Sequence, residues 1–180
     1  MFSVSAAAPN SHWPYPRFIA HRGGGTLAPE NTLAGFREAR HFCFQGIETD
    51  VMLTADGAAV LSHDPVLGRV VKSASPVASL SLKEIKTLDA GSLTAQKWAG
   101  ERIPTLEEAI ETCEANGLFM NIEIKPASDS AAQATAQETV RIVRKLFEGK
   151  SLPLLSSFSR NALATAAVEA PEIPRGLLLE

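Results

Sequence analysis

The sequence lacks a long hydrophobic run, an excess of basic residues and a cysteine framework. No apolar run in the 180 residues approaches the length of ~18 residues that a membrane-spanning helix needs. Lys and Arg number 17 against 20 Asp and Glu, a formal net charge of −3 without a basic cluster, so no nucleic acid partner is expected. Residues 1–17 also lack the charged and apolar regions of a signal peptide. We therefore expect a cytoplasmic globular protein with one domain over residues 1–180.

The two cysteines do not form a CxxC motif or a Cys/His ligand spacing. Cys43 continues the helical spacing of Leu33, Phe36 and Ala39, and Cys113 continues an apolar helical face that begins at Leu106. The sequence therefore predicts both cysteines as small core residues and excludes a thiolate metal site.

Strand patterns alternate with helix patterns along most of the chain. The predicted strands are Phe18–Ala20, Ile47–Leu53, Ala59–Asp64, Leu118–Lys125, Leu154–Ser157 and Gly176–Leu179, and the predicted helices are Thr32–Phe44, Thr105–Asn116, Ser130–Glu148 and Asn161–Glu169. This alternation favours a parallel sheet covered by helices, either a barrel or a doubly wound sheet. The contiguous glycines 23–25 do not match the GxGxxG spacing of a dinucleotide-binding fold. Residues 65–104 are irregular apart from one short helix with a capping box at Ser81, and we interpret them as an insertion.

Charged side chains recur where the predicted strands end. Glu48 and Asp50 are two residues apart, as are Glu123 and Lys125, so each pair lies on one face of its strand. In a barrel, the carboxyl ends of the strands meet on one side, where catalytic groups converge. We therefore expect these side chains to form one site together with His21, Arg22 and His63, which also stand at the ends of predicted strands.

The Asp56–Gly57 pair predicts a tight turn between the second and third strands. If these strands pair as a hairpin centred on that turn, Asp50 lies opposite His63 on the same face. If the third strand runs parallel instead, both residues still lie at carboxyl ends of strands. Either geometry predicts that Asp50 and His63 are close.

The residue types at this site favour phosphodiester cleavage. Three carboxylates, from Glu48, Asp50 and Glu123, offer hard oxygen ligands suited to Mg²⁺ or Ca²⁺. Two histidines, His21 and His63, can act as general base and general acid near neutral pH. The cationic side chains Arg22 and Lys125 can hold an anionic substrate, and electrostatic stabilisation of this kind is the main requirement of phosphate-ester chemistry.

The chain resembles the glycerophosphodiester phosphodiesterases. The shared motifs occur in family order and are His21-Arg22-Gly23, Ala28-Pro29-Glu30-Asn31-Thr32, Glu48-Thr49-Asp50-Val51, Leu53-Thr54-Ala55-Asp56-Gly57, His63-Asp64, Leu88-Asp89-Ala90-Gly91, Ile103-Pro104-Thr105-Leu106 and Asn121-Ile122-Glu123-Ile124-Lys125. The resemblance implies a TIM (β/α)8 barrel of the phospholipase-C-like phosphodiesterase type with a small insertion after the third strand. It implies that the three carboxylates bind a divalent cation, that the two histidines form the acid–base pair, and that Arg22 and Lys125 contact phosphate.

The reaction implied by the resemblance is hydrolysis of a glycerophosphodiester to sn-glycerol 3-phosphate and an alcohol. Attack by the neighbouring glycerol hydroxyl, through a cyclic phosphate, and direct attack by water both remain open, as does the oligomeric state. Two other hypotheses fit the same residues: a related phospholipase-type phosphodiesterase acting on lipid head groups, and a barrel that binds a metal and an anion without turnover.

Because the chain ends after the sixth predicted strand and a barrel needs eight, we expect further strands in the natural protein.

Overall fold

The computed structural model describes residues 14–179. Residues 1–13, on which most of the signal-peptide argument rests, and Glu180 lie outside the described residues. The strands are β1 (Gly46–Leu53), β2 (Ala59–Leu61), β3 (Phe119–Ile124), β4 (Leu154–Ser157) and β5 (Arg175–Leu177). The α-helices are α1 (Leu33–His41), α2 (Leu82–Ile85), α3 (Leu106–Ala115), α4 (Ala132–Leu146) and α5 (Arg160–Glu169), with short 3-10 turns at Val77–Ser79, Gln96–Trp98 and Asp129–Ala131.

The five strands form one sheet in the order β2-β1-β3-β4-β5. β1, β3, β4 and β5 run parallel, and β2 pairs antiparallel with β1. Helices α1, α3, α4 and α5 pack against one another in chain order. Ile47, Val51 and Ile122 are buried beneath them. Successive strand–helix units with parallel strands inside and helices outside are the construction of a TIM-type barrel.

Helices α2 and α3 begin at capping boxes that the sequence predicts. Ser81 and Thr105 each accept a hydrogen bond from the backbone of the glutamate three residues later, and that glutamate bonds back to the cap in both cases. Thr32 caps α1 by accepting from the Gly35 amide at 3.1 Å. After α3, Gly117 adopts a φ of +62°, the left-handed conformation expected at a helix end.

The first predicted strand, Phe18–Ala20, is reduced to a single parallel bridge between Ala20 and Ile47. The chain turns immediately afterwards, because the Gly23 amide bonds back to the Ala20 and Glu48 carbonyls at 3.3 and 3.1 Å. Phe18 is consequently 76% exposed. The apolar character of these residues therefore reflects a short extended segment beside β1 and not a full strand.

The hairpin register differs by one residue from the expected one. Val51 pairs with Leu61, so Asp50 lies opposite Ser62, whose amide donates to the Asp50 carbonyl at 3.1 Å. The cause is a loop of three residues, 55–57, closed by Gly57 at a φ of +81° and by the Thr54 amide bonding to the Ala58 carbonyl. The prediction that His63 pairs across the hairpin with Asp50 is wrong, since β2 ends at Leu61.

Cys113 is buried as predicted, but Cys43 is exposed. Helix α1 ends at His41, and Cys43 lies beyond it at a φ of +61°. The helical spacing that suggested a core position therefore does not extend to Cys43.

The segment between β2 and α3 has a small apolar core of its own. Val71, Val77, Ile85 and Ile103 are buried there and pack with Met52 of β1, on the opposite side from the main core. We propose that this unit is the insertion expected over residues 65–104. Within the described range 14–179, no helix has the length and apolar character required to cross a bilayer.

Candidate active site

Three carboxylates meet at the centre of the sheet. Glu48 and Asp50 come from β1 and Glu123 from β3, and Asp50 and Glu123 are direct partners in the parallel register. One ligand oxygen from each of the three lies within 4.8 Å of the others. Asp50 is only 1% exposed and Glu123 only 8%. The sequence expectation that these three side chains converge therefore agrees with their placement.

The alternating direction of side chains along β1 explains why two carboxylates lie on the face opposite the main core. Ile47 and Val51 are fully buried in the main core with α1, α3 and α4, whereas Glu48 and Asp50 point to the other face of the strand. On that face Asp50 is buried and the Glu48 side chain is only 13% exposed, so both carboxylates are largely shielded from solvent. Buried charges cost free energy unless they are paired with opposite charges or bind a metal ion.

The carboxylate cluster fits a hard divalent cation. Oε1 of Glu48 is buried and accepts no hydrogen bond. Burial, and then the neighbouring charge of Asp50, raises the pKa of Glu48 to about 8, and burial likewise raises the pKa of Glu123. A cation bound by these oxygens would offset the mutual repulsion and satisfy the free oxygen. An all-oxygen donor set is the one preferred by Mg²⁺ and Ca²⁺.

Asn31 orients Asp50 from the loop before α1. Its Nδ2 donates to Oδ2 of Asp50 at 2.8 Å, while its Oδ1 accepts from the Thr49 hydroxyl at 2.7 Å and from the Asp50 amide at 3.2 Å. Asn31 is 3% exposed and adopts a φ of +52°. Asparagine is one of the few residues that readily takes such a conformation. The motif that contains Asn31 does not by itself indicate this role.

The loop after Ala20 brings backbone and cationic groups to the carboxylates. The Arg22 amide donates to Oε2 of Glu48 at 2.9 Å, and Nε of Arg22 lies 3.7 Å from Oδ2 of Asp50. That Nε atom is buried without a hydrogen-bond partner. On the opposite side, Nζ of Lys125 lies 3.3 Å from Oδ1 of Asp50 and 3.8 Å from Oε1 of Glu123. Both cations therefore lie beside the acidic cluster, as expected.

Each of the two histidines lies beside a carboxylate. Nε2 of His21 is 3.9 Å from Oε2 of Glu48, and its side chain is 71% exposed. Partial burial, and then the positive charge of Arg22, lowers the pKa of His21, and His63 contributes in the same direction. Nδ1 of His63 lies 2.6 Å from Oδ1 of Asp64.

An ion-pair network beyond the predicted residues links these groups. Glu30 receives hydrogen bonds from Arg22 at 3.3 and 3.4 Å and from Arg69 at 2.6 Å, and Arg69 also donates to Asp64 at 2.8 Å. Glu30 and Asp64 stand in motifs already noted in the sequence, yet neither has a spacing that reveals its partner. Arg69 lies in an irregular segment, so no periodicity indicates its role.

The assembled groups can hold a divalent cation, bind an anion and move protons. The three carboxylates of paired strands β1 and β3 lie together, with Arg22, Lys125 and His21 beside them, and His63 adds a second imidazole paired with Asp64. This combination suits the attack of an oxygen nucleophile on a phosphorus atom and protonation of the departing oxygen.

Comparison with known proteins gives a consistent family match. Residues 21–180 match the family model described as the glycerophosphoryl diester phosphodiesterase family. A glycerophosphodiester phosphodiesterase of Caldanaerobacter subterraneus subsp. tengcongensis is 38% identical over 162 residues, covering 90% of this chain and 66% of that protein. Human glycerophosphodiester phosphodiesterase 1 is 36% identical over 118 residues, covering 64% of this chain and 36% of the human protein.

Solved structures show the same fold. A phosphodiesterase of Oleispira antarctica in complex with the product sn-glycerol-3-phosphate superposes with a TM-score of 0.89 at 38% identity, covering 92% of this chain and 67% of that one. A glycerophosphodiester phosphodiesterase of Agrobacterium tumefaciens gives a TM-score of 0.73 at 28% identity, covering 87% and 64%. The TIM-barrel type of fold is thereby confirmed. The chain spans 66% or less of the curated relatives quoted above.

Proposed function

Because the chain belongs to the glycerophosphoryl diester phosphodiesterase family, we propose that it hydrolyses glycerophosphodiesters to sn-glycerol 3-phosphate and an alcohol, with Mg²⁺ or Ca²⁺ as cofactor. The observation that carries the proposal is the convergence of the three carboxylates, with His21, Arg22 and Lys125 beside them. The relatives' names and the product bound to the Oleispira antarctica phosphodiesterase support the same substrate class.

Glu48, Asp50 and Glu123 would hold the divalent cation, and Asn31 fixes the direction of the Asp50 carboxylate. When bound, the cation supplies Lewis-acid stabilisation of negative charge on the phosphoryl oxygens. Arg22 and Lys125 add positive charge on two sides of the same space, so the phosphate group is bound and oriented before reaction.

The histidines have complementary roles in moving protons. Partial burial and the charge of Arg22 lower the pKa of His21, which favours the neutral imidazole that accepts a proton from the attacking oxygen of water or of the glycerol hydroxyl. His63 holds Nδ1 against the Asp64 carboxylate, which leaves Nε2 to donate a proton to the departing alcohol oxygen. With water as the nucleophile, one P–O bond to water forms and the P–O bond to the alcohol breaks, with one proton accepted and one donated. With the glycerol hydroxyl as the nucleophile, the same exchange gives a cyclic phosphate, and water then opens the ring to give sn-glycerol 3-phosphate.

The direct test is release of sn-glycerol 3-phosphate from glycerophosphocholine, followed by ³¹P NMR with Mg²⁺, with Ca²⁺ and with EDTA. We expect turnover only with the divalent cation. The proposal is wrong if the folded chain releases no product with either cation. Hydrolysis of a lysophospholipid in preference to glycerophosphocholine would favour the phospholipase-type alternative, and metal and phosphate binding without turnover would favour the binding barrel.

A matched pair of histidine variants shows whether the turnover belongs to this site. His41 lies at the end of α1 with its ring edge-on to Phe42, away from the carboxylates. His41→Ala should keep wild-type activity, whereas His63→Ala should not. Wild-type activity in both variants would contradict the role proposed for His63. A cytoplasmic location, inferred from composition, stays a prediction.

A further inference from the structure

We propose that Arg69 is a positioning residue that fixes the orientation of the proton donor His63 and the phosphate-binding Arg22 at the same time. The proposal rests on the proposed function for the roles of these two residues. Arg69 lies between β2 and α2, and its guanidinium joins two carboxylates from segments far apart in the chain. Its Nε donates to Asp64 at 2.8 Å and its Nη1 donates to Glu30 at 2.6 Å.

The first contact acts on His63. Oδ2 of Asp64 accepts from Arg69, and Oδ1 of the same carboxylate lies 2.6 Å from Nδ1 of His63. With one oxygen held, the carboxylate cannot rotate away from the imidazole. A carboxylate against Nδ1 keeps a proton on that nitrogen, so Nε2 is the atom that exchanges protons with a substrate.

The charge state of Asp64 is consistent with this arrangement. Partial burial opposes ionisation, yet hydrogen bonds from Arg69 and His63 hold the pKa of Asp64 below its ordinary value. Asp64 therefore remains a carboxylate, and so a hydrogen-bond acceptor, over the whole neutral pH range.

The second contact acts on Arg22. Oε2 of Glu30 accepts from Arg69 at 2.6 Å and from Nη1 of Arg22 at 3.3 Å. Glu30 thereby holds the outer nitrogen of the Arg22 guanidinium. The Nε atom of Arg22 remains 3.7 Å from Oδ2 of Asp50. Without Arg69, Glu30 would form its ion pair with Arg22 alone and could draw that guanidinium out of the site.

The network is better explained by orientation than by stability. The Arg69 side chain is 44% exposed, and the Asp64 side chain is 40% exposed. Ion pairs this accessible contribute only ~0–1 kcal/mol to the free energy of unfolding. A planar guanidinium that donates from Nε and Nη1 toward two separate acceptors fixes their relative direction, which the single nitrogen of a lysine cannot do.

The experiment compares Arg69→Ala and Arg69→Lys with Arg37→Ala. Arg37 forms a similar ion pair between distant segments, with Nη2 at 3.1 Å from Glu101, but it lies outside the site. Steady-state kinetics on glycerophosphocholine at saturating cation should show kcat reduced roughly 10- to 100-fold in both Arg69 variants, with a much smaller change in KM. Cation affinity by calorimetry should stay within about threefold of wild type, and Arg37→Ala should retain wild-type kcat.

A spectroscopic measurement distinguishes positioning from a general structural role. In ¹⁵N NMR of histidine-labelled protein, the neutral His63 ring should carry its proton on Nδ1 in the wild type and in Arg37→Ala, and should populate both tautomers in Arg69→Ala. If Arg69→Ala fails to fold, Arg69→Lys keeps the charge and the aliphatic stem and supplies the same readout.

Two results would overturn the inference. One is a kcat for both Arg69 variants within twofold of Arg37→Ala; the other is an unchanged His63 tautomer. If the wild-type chain has no phosphodiesterase activity, the proposed function fails by that result alone, and the tautomer measurement still decides whether Arg69 orients His63.

Discussion

The side-chain amide of Asn31 binds Asp50 on two sides, because Nδ2 donates to the Asp50 carboxylate at 2.8 Å and Oδ1 accepts from the Asp50 backbone amide at 3.2 Å. Asn31, in the loop before helix α1, thereby fixes the most buried member of the carboxylate cluster. Groups that orient a metal ligand typically change metal affinity 10- to 100-fold when they are removed.

Asn31→Gly and Asn31→Ala should both weaken Mg²⁺ or Ca²⁺ binding by about 10- to 100-fold, measured by isothermal titration calorimetry. Asn31→Ala should also lose ~1 kcal/mol more stability than Asn31→Gly, because alanine is strained at the φ of +52° found here. Equal cation affinity in wild type and Asn31→Gly would show that the Asp50 carboxylate is held by other contacts.

His21→Ala and His63→Ala should each lower kcat by about 100-fold or more, since each removes a partner in proton transfer. Cation affinity should change little in the His63 variant, whose ring contacts Asp64 and not the carboxylate cluster. The measurement is product release at saturating cation, with His41→Ala as the control. Near-wild-type turnover in either variant contradicts the role assigned to that histidine.

Glu123→Gln should raise the cation concentration needed for half-maximal activity, since the amide offers a weaker ligand than the carboxylate. Glu138→Gln serves as the control because Glu138 pairs with Arg141 on the outer face of α4. The activity of both variants is titrated with Mg²⁺ and with Ca²⁺. An unchanged requirement in Glu123→Gln would remove Glu123 from the proposed ligand set.

The metal-free protein should become less stable as pH rises. The pKa of Glu48 is about 8 in the folded chain against an ordinary 4.5, so the folded state binds the extra proton between these values. The stability linked to this group is fully present below about pH 4.5 and is lost as pH rises through about 8, with a slope of up to ~1.4 kcal/mol per pH unit. Urea denaturation in EDTA across this range should show Glu48→Gln gaining stability relative to wild type as pH rises. Parallel curves for the two proteins would contradict the raised pKa.

Gly23→Ala should destabilise the chain far more than Gly57→Ala. Both glycines have a φ near +80°, but a Cβ at Gly23 would lie 2.5 Å from the Phe36 ring, whereas none of the described atoms lies within 4 Å of a Cβ at Gly57. We expect a loss of about 1 kcal/mol at Gly57 and roughly 3 kcal/mol at Gly23. Thermal denaturation measures both, and similar losses would show that the Phe36 ring moves aside at little cost.

Much of the fold and the acidic cluster is predictable because it depends on local periodicity. The two-residue spacing of Glu48 and Asp50 in a buried strand, and the capping boxes at Ser81 and Thr105, are visible without any tertiary information. The hairpin register differs from that of a two-residue turn at Asp56–Gly57, because the loop contains one more residue and closes with Gly57 at a positive φ. Arg69 could not be identified from spacing, since its partners Glu30 and Asp64 are brought together only by the folded loops.

The alternation of β1 makes the site sensitive to chain length in a way that substitution experiments do not reveal. Removing or adding one residue within Gly46–Leu53 would reverse the faces of the strand residues on one side of the change, so that Glu48 or Asp50 would enter the apolar layer while Ile47 or Val51 would enter the candidate active site. A conservative replacement on either face keeps the alternation of side chains between the two faces, whereas deletion of one residue reverses it for part of the strand. In this strand, an insertion or deletion of one residue is therefore more damaging than most single substitutions, because it changes which side chains face the core.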